Sequence, residues 1–236
     1  SASYHILILD RLIELGVILN LSKGIKPKWL ISIVIKMTDW LELVTLNDNN
    51  FPRFNDSPID GCSNPKIIKD FALSYLYHYD FGHNGYRSLM INSVKNFYKI
   101  KKLKNPIIKN HNKEKLFKLT NLAETGWQIL RPNKDWELLF KCGKSCPKHL
   151  PAHAQSDQLT FDLFYRGKPI FAEAGTSTYE INKIRDFERK YSAHNIIQFS
   201  KNKYDWIEPL DIWSSFRAGS KAEGKKIKSG IKNNNK

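Results

Sequence analysis

The sequence predicts an α+β chain in two parts, helices first and antiparallel strands after them. Three observations carry this reading. Up to residue 79 the apolar side chains recur at three- and four-residue spacing, the period of a helix with one buried face. Beyond residue 118 the period changes to alternation, which is that of a strand. Helices and strands do not interleave, so parallel βαβ units are excluded. A length of 236 residues suffices for one large domain or two small ones, and a hydrophobic content of 41% allows a packed core.

Residues 2–20 read as the first helix. The second runs over 27–43, with Pro27 in its first turn and Trp29, Leu30, Ile33, Val34, Met37, Trp40 and Leu41 at helical spacing. "NDNNFPRFNDSPIDGCSNP" is a long turn-rich loop, and a third helix is expected over 66–79. "GWQILRP" and "WELLFKC" read as strands joined by the turn "RPNKD". Further strands are expected at 158–165, 168–174 and 195–200. In the first of these, Leu159, Phe161, Leu163 and Tyr165 fall on one face and Thr160, Asp162 and Phe164 on the other. There is no internal repeat, Walker A loop or dinucleotide fingerprint.

The formal charge of +15 invites a nucleic-acid reading, but its location argues for a blander one. Residues 95–118 hold nine Lys and one Glu, and residues 218–236 hold six Lys and one Glu, so these two segments supply +13 of the total. They read as a solvated linker and a basic tail, with Phe97, Tyr98 and Phe117 too sparse to make a stacking platform. The most apolar run, 4–19, is interrupted by Asp10, Arg11 and Glu14, so no membrane span is expected. The chain opens without Met or a signal pattern, which suggests a fragment or processed piece of a longer protein. Of the three cysteines, Cys142 and Cys146 stand in "CGKSC" with no second Cys/His pair, and thiols fit better than a metal site.

One stretch, "HLPAHAQSDQLTFDLFYRGKPIFAEAGTSTY" (149–179), gathers a polar cluster at the mouth of a strand. Followed by "RDFERKYSAHNIIQF" and "IWSSFRAGSKA", it resembles the heparinase II/III-like family of polysaccharide lyases. Upstream, "SASYHILILDRL" resembles that family's Ser-x-x-Tyr-His helix, and "FPRFNDS" resembles a later loop of its helical domain. The resemblance implies the end of an (α/α) toroid over 1–94, a Lys-rich linker or insertion over 95–118, an antiparallel β-sandwich region over 119–222 and a basic disordered tail over 223–236.

The resemblance also implies cleavage of uronic-acid-containing polysaccharides by β-elimination, outside the cytoplasm in the periplasm or extracellular space. Such a reaction needs a base for the C5 proton, an acid for the departing oxygen and a neutraliser for the uronate carboxylate. Tyr4 and His153 match the family's catalytic Tyr and His. The carboxylate-neutralising Asn or His is expected from a helix well before Tyr4. His5 diverges from Tyr4 by about 100° around a helix; it and Arg185 and Arg189 are candidate substrate-binding residues, with ion pairing as the alternative role of the arginines. In zinc-binding members the ligands fall at the positions of Gln155, Glu173 and His194. Neutral Gln is a poor zinc ligand, so a hydrogen-bonded cluster without cofactor is expected, in which Gln155 bridges Glu173 and a backbone group. The expected partner is an acidic polysaccharide, with neither nucleic acid nor membrane. Two other readings remain open, a degenerate glycan-binding module and a basic nucleic-acid-binding protein.

Overall fold

The structure, a computed structural model, describes residues 1–58, 60–105, 118–146, 149, 151–203, 207–214 and 216–230. Four helices come first: α1 (Ala2–Lys23), α2 (Lys28–Val44), α3 (Pro65–Tyr77) and α4 (Gly85–Phe97). Helix α1 buries Ile6, Leu9, Ile13 and Val17 against Leu30, Val34 and Leu41 of α2 and Ile68, Phe71 and Tyr75 of α3. Each fully buried aliphatic side chain contributes about 1.5–3 kcal/mol. Local chemistry sets the ends. Gly24, at φ 64°, closes α1 in the left-handed conformation, and Asn64 caps α3 by accepting from Lys66 N–H.

Helix α4 was not expected. Only Ile91 and Val94 of it are buried, too few to show a period, and polar contacts do much of the docking. Tyr86 Oη–H and Arg87 Nη2 both donate to the buried carboxylate of Asp10 on α1, each at 2.8 Å. Of the Lys-rich segment, residues 106–117, with Phe117, lie outside the described residues.

Five strands follow as an antiparallel meander in sequence order: β1 (Lys118–Leu122), β2 (Trp127–Arg131), β3 (Trp136–Lys141), β4 (Phe161–Tyr165) and β5 (Lys168–Phe171). The β4–β5 turn uses Arg166 and Gly167, both at positive φ, as a two-residue hairpin with right-handed strand twist requires. Pro169 is tolerated because β5 is an edge strand. After a short helix α5 (Lys183–Glu188), strands β6 (Leu210–Ser214) and β7 (Arg217–Ser220) pair as a separate hairpin. The α+β order is as expected, and β1, β6 and β7 are additional.

Two expected strands are corrected, 195–200 and 158–165. Residues 195–200 form no ladder strand: Ile197 and Phe199 are exposed, and Asn195 is committed to Glu173 and to Phe161 O instead. On β4 the inward face carries Asp162 and Phe164, while Phe161, Leu163 and Tyr165 are only half-buried. Strand β4 also begins at Phe161, because Leu159 turns the chain through φ 65°. Residues 223–230, expected as tail, run back over the loop after β3, where Gly224 N–H donates to Gly143 O.

The inward face of the sheet is unusually charged. Arg131, Glu137, Lys141 and Asp162 are all buried there, beside Trp127, Ile129 and Leu139. These charges join the two parts of the chain. Arg131 donates to Glu137 at 2.8 Å and to the carbonyls of Leu43 and Thr45, which end α2, at 3.1 Å each. Glu137 also accepts from Asn47 N–H. A guanidinium at a helix C-terminus satisfies carbonyls that the helix leaves open.

Arg131→Met strands Glu137 as a buried, uncompensated charge, and should cost about 3–5 kcal/mol in denaturant unfolding. Adding Glu137→Gln should recover part of that loss; a double variant no more stable than Arg131→Met would show that the pair is not the cause.

Candidate functional site

The site is assembled from segments spread over the chain. Tyr4 lies in the first turn of α1. The loop over 51–58 brings Asp56, and the long β3–β4 connection brings His153 at the end of a 3-10 turn, Pro151–His153. The turn after β5 brings Thr176 and Tyr179, and α5 brings Arg185. Asn182 caps α5 by accepting from Arg185 N–H, which sets Arg185 in its first turn.

Tyr4 and His153 stand side by side, with ring centroids 4.7 Å apart. The Tyr4 hydroxyl is 3.0 Å from that of Tyr179. Phe216, after β6, stacks on Tyr179 at 6.0 Å and meets the His153 ring edge-on at 6.3 Å. His153 keeps 31% of its side chain exposed, so the ring is reachable from solvent. Burial, then the hydrogen bond with Tyr4 and the charge of Asp56, holds the Tyr179 hydroxyl well above the usual tyrosine range. Tyr179 is therefore a neutral hydroxyl at neutral pH.

Asp56 lies beneath this group, fully buried. Arg185 binds it bidentately, Nη1 to Oδ1 at 2.7 Å and Nη2 to Oδ2 at 2.6 Å. Thr176 Oγ1 and Gln155 Nε2 each donate to Oδ1 at 2.9 Å, and His153 Nδ1 lies 3.0 Å from Oδ2. Burial alone would raise the Asp56 pKa. The hydrogen bonds and charge of Arg185, helped by His153 and Thr176, outweigh it and hold the carboxyl below its ordinary value.

The other candidate residues turn away from this opening. Arg185 is buried on Asp56. Arg189 is buried too, donating to Ala154 O and Ser214 O and so tying the β3–β4 loop to β6. Neither guanidinium faces an external acid, and their roles are those of ion pairing and loop anchoring. His5 points to another side of α1. Its Nε2 bonds Met37 O at 2.8 Å and its ring packs on Trp40 at 4.2 Å, beside a cleft of about 1030 Å³ that Lys36 and Lys144 also line. Neither Tyr4 nor His153 lines that cleft.

The model of the heparinase II/III-like C-terminal region matches residues 114–235, just over half of the chain. The chain belongs to the heparinase II/III-like family. No curated protein sequence matches it. Among solved structures it is similar to a heparinase III gene product (19% identity, TM-score 0.55) and to the heparan sulfate lyase HepC from Pedobacter heparinus (22% identity, TM-score 0.52). Each likeness covers 82% of this chain but 28% of the other. At that identity the likeness shows the fold, and the chain spans less than a third of the length of either protein.

Of the three residues expected at metal positions, Glu173 and His194 pair and Gln155 is engaged elsewhere. Glu173 Oε1 accepts from Thr160 Oγ1 and from Asn195 N–H, and Oε2 pairs with His194 Nδ1. Gln155 does not bridge to Glu173 as expected; its amide donates to Asp56, Thr176 and Gly175 O. Among the described residues, His194 Nε2 and Gln155 Oε1 lack hydrogen-bond partners. One imidazole and one neutral amide oxygen, beside a carboxylate whose two oxygens are engaged, do not fit a structural zinc.

Sequence reasoning named neither Asp56 nor Tyr179. Asp56 is the one acid inside the quoted motif "FPRFNDS", but the motif does not say what Asp56 would meet. Its partners come from residues 153–185, and only the fold brings them together.

The donor set leads to an expected zinc content well below one ion per chain after dialysis. Gln155→His should bind zinc and raise Tm only when zinc is present; tightly held zinc in the unsubstituted protein would overturn this. A second expectation concerns Asp162. Burial, and then the nearby Glu173 charge, raises its pKa to about 7, although the Glu173 N–H bonds it at 2.7 Å. The unfolded value is about 3.9, so the folded state binds the extra proton between the two values. Its contribution to stability is full below about pH 4 and lost as pH rises through about 7. Asp162→Asn should flatten the fall in stability between about pH 4 and 7, and parallel curves for variant and parent would contradict it.

Proposed function

We propose that this chain carries the Tyr/His pair of a polysaccharide lyase that cleaves uronic-acid-containing acidic glycans by β-elimination, in the periplasm or outside the cell. One observation carries the reading. Tyr4 and His153 are far apart in sequence, and they meet at 4.7 Å with the imidazole reachable from solvent. Family membership and similarity to solved heparinases support the substrate class.

In the elimination a base removes the C5 proton, and its electron pair forms the C4–C5 double bond as the C4–O bond breaks. The departing oxygen takes a proton. The products are an unsaturated uronate end and a new hydroxyl end. Tyr4 Oη and His153 are the two groups in position to exchange protons with the sugar. Tyr179, neutral and 3.0 Å from Tyr4, can donate to the Tyr4 oxygen and stabilise charge that develops there. The C5 proton becomes acidic only when the neighbouring carboxylate is neutralised. Arg185 and Arg189 are buried in other bonds and do not serve here; the family resemblance implies a neutraliser from a helix well before Tyr4.

The test follows near-ultraviolet absorbance of unsaturated ends with the full-length protein on heparin, heparan sulfate, chondroitin sulfate and alginate. A rise with at least one is expected. Tyr4→Phe and His153→Ala should each lower kcat far more than they change KM, because both act on the transition state. The isolated chain should be slower by roughly 10²–10³, the usual cost of losing a charge-stabilising donor. Binding without any absorbance rise would favour a glycan-binding module, and wild-type rates in both variants would sink the site.

A further inference from the structure

We propose that Asp56 is the positioning residue of His153: it fixes the ring's orientation and places its proton on Nδ1, leaving Nε2 as the nitrogen that meets substrate. The effect on rate rests on the lyase reading, whereas the effect on the ring does not.

His153 is in a long loop, on a single 3-10 turn, with a third of its side chain exposed. Such a ring would rotate and exchange tautomers freely unless tied. Tyr4 and Phe216 confine its faces, and its edge is set by Asp56 Oδ2. An ionised carboxylate only accepts, so Nδ1 must carry the hydrogen. In the neutral ring the lone pair then lies on Nε2.

The carboxylate is itself immobile. Arg185 holds both its oxygens in a planar fork, and Thr176 and Gln155 add donors to Oδ1, leaving Oδ2 to Arg185 and His153. His153 and Gln155, two residues apart, thus bind the two oxygens of one carboxylate, which pins the loop at both positions. This gives Gln155 a role that a metal ligand could not fill: a neutral donor to Asp56 adds no charge to the centre.

Arg185 also decides what kind of help Asp56 gives. The guanidinium balances the carboxylate's charge and fixes both its oxygens, so what Asp56 gives the ring is direction and tautomer, with Nε2 left to meet the substrate.

The test uses the full-length protein labelled with ¹⁵N-histidine, at a pH where the ring is neutral, with the His153→Gln variant identifying the His153 resonances. The wild-type ring should show the Nδ1–H tautomer, and a dominant Nε2–H tautomer would overturn the proposal without any Asp56 variant. In Asp56→Asn, Arg185 retains the amide oxygen and the amide N–H₂ faces His153. The ring should then present its lone pair to the amide and switch to Nε2–H. With heparan sulfate or whichever panel glycan is turned over, kcat should fall by roughly 10²–10⁴ with KM little changed, as for loss of a correctly protonated catalytic group. An unchanged tautomer in a folded Asp56→Asn protein, or a rate loss that only follows the loss of folded protein, would reduce Asp56 to a structural role. If the tautomer is as expected but no glycan is cleaved, the lyase reading fails and the positioning stands.

Discussion

Everything at the site depends on one buried negative charge. Asp56 comes from the loop that leaves the helices, and each of its partners comes from the strand region or the loops around it. A carboxylate without water is tolerable only with near-complete hydrogen bonding, and this one has it from Arg185, Thr176, Gln155 and His153. Removing one partner of such a pair typically costs about 3–5 kcal/mol, a large share of a domain's stability. The loop, the 149–157 segment, the turn after β5 and α5 are therefore held as one unit, although none is regular enough to hold itself.

Two further charged contacts join the same parts of the chain. Asp157 pairs with Lys141 of β3 and accepts from Asn55 N–H at 2.8 Å, so the residue just before Asp56 is anchored to the sheet. Arg131 and Glu137 grip the end of α2. Between them Trp127 packs against Trp40 and Phe54, at 5.4 and 5.1 Å. The close approach leaves no spare room. Gly175 sits at φ 72°, and a Cβ there would lie 2.6 Å from Ser57 O, so this turn requires glycine for both conformation and space. Buried ion pairs give little net stability compared with apolar packing, but they accept few alternative geometries. Here they fix the angle between a helix that carries Tyr4 and a loop that carries His153.

The site is divided into an upper aromatic layer and a charged layer beneath it. The aromatic rings of Tyr4, Tyr179, Phe216 and His153 form the accessible layer, and the ionised groups lie below it, out of solvent. Charge is kept in a balanced pair, while the hydroxyl and imidazole groups lie above it. Irregular loops supply these groups because loops can converge from several elements, and the sheet and helices beneath keep them in place.

The sequence by itself determined the parts whose signal is local. Periodic burial placed α1, α2 and α3 within a residue or a turn, alternation placed β2 and β3, and the motif order pointed to Tyr4 and His153. It misled where local pattern and tertiary demand diverge. "NIIQFS" has strand composition, yet Asn195 is needed at Glu173 and the segment finds no ladder. For Arg185 and Arg189 the sequence left substrate binding and ion pairing both open, and the structure buries both, Arg185 in an ion pair with Asp56. Only the tertiary structure decided that Asp56, and not another acid of its loop, meets Arg185, His153, Thr176 and Gln155. A carboxylate's environment is set by what folds over it from far along the chain, and no local spacing records that.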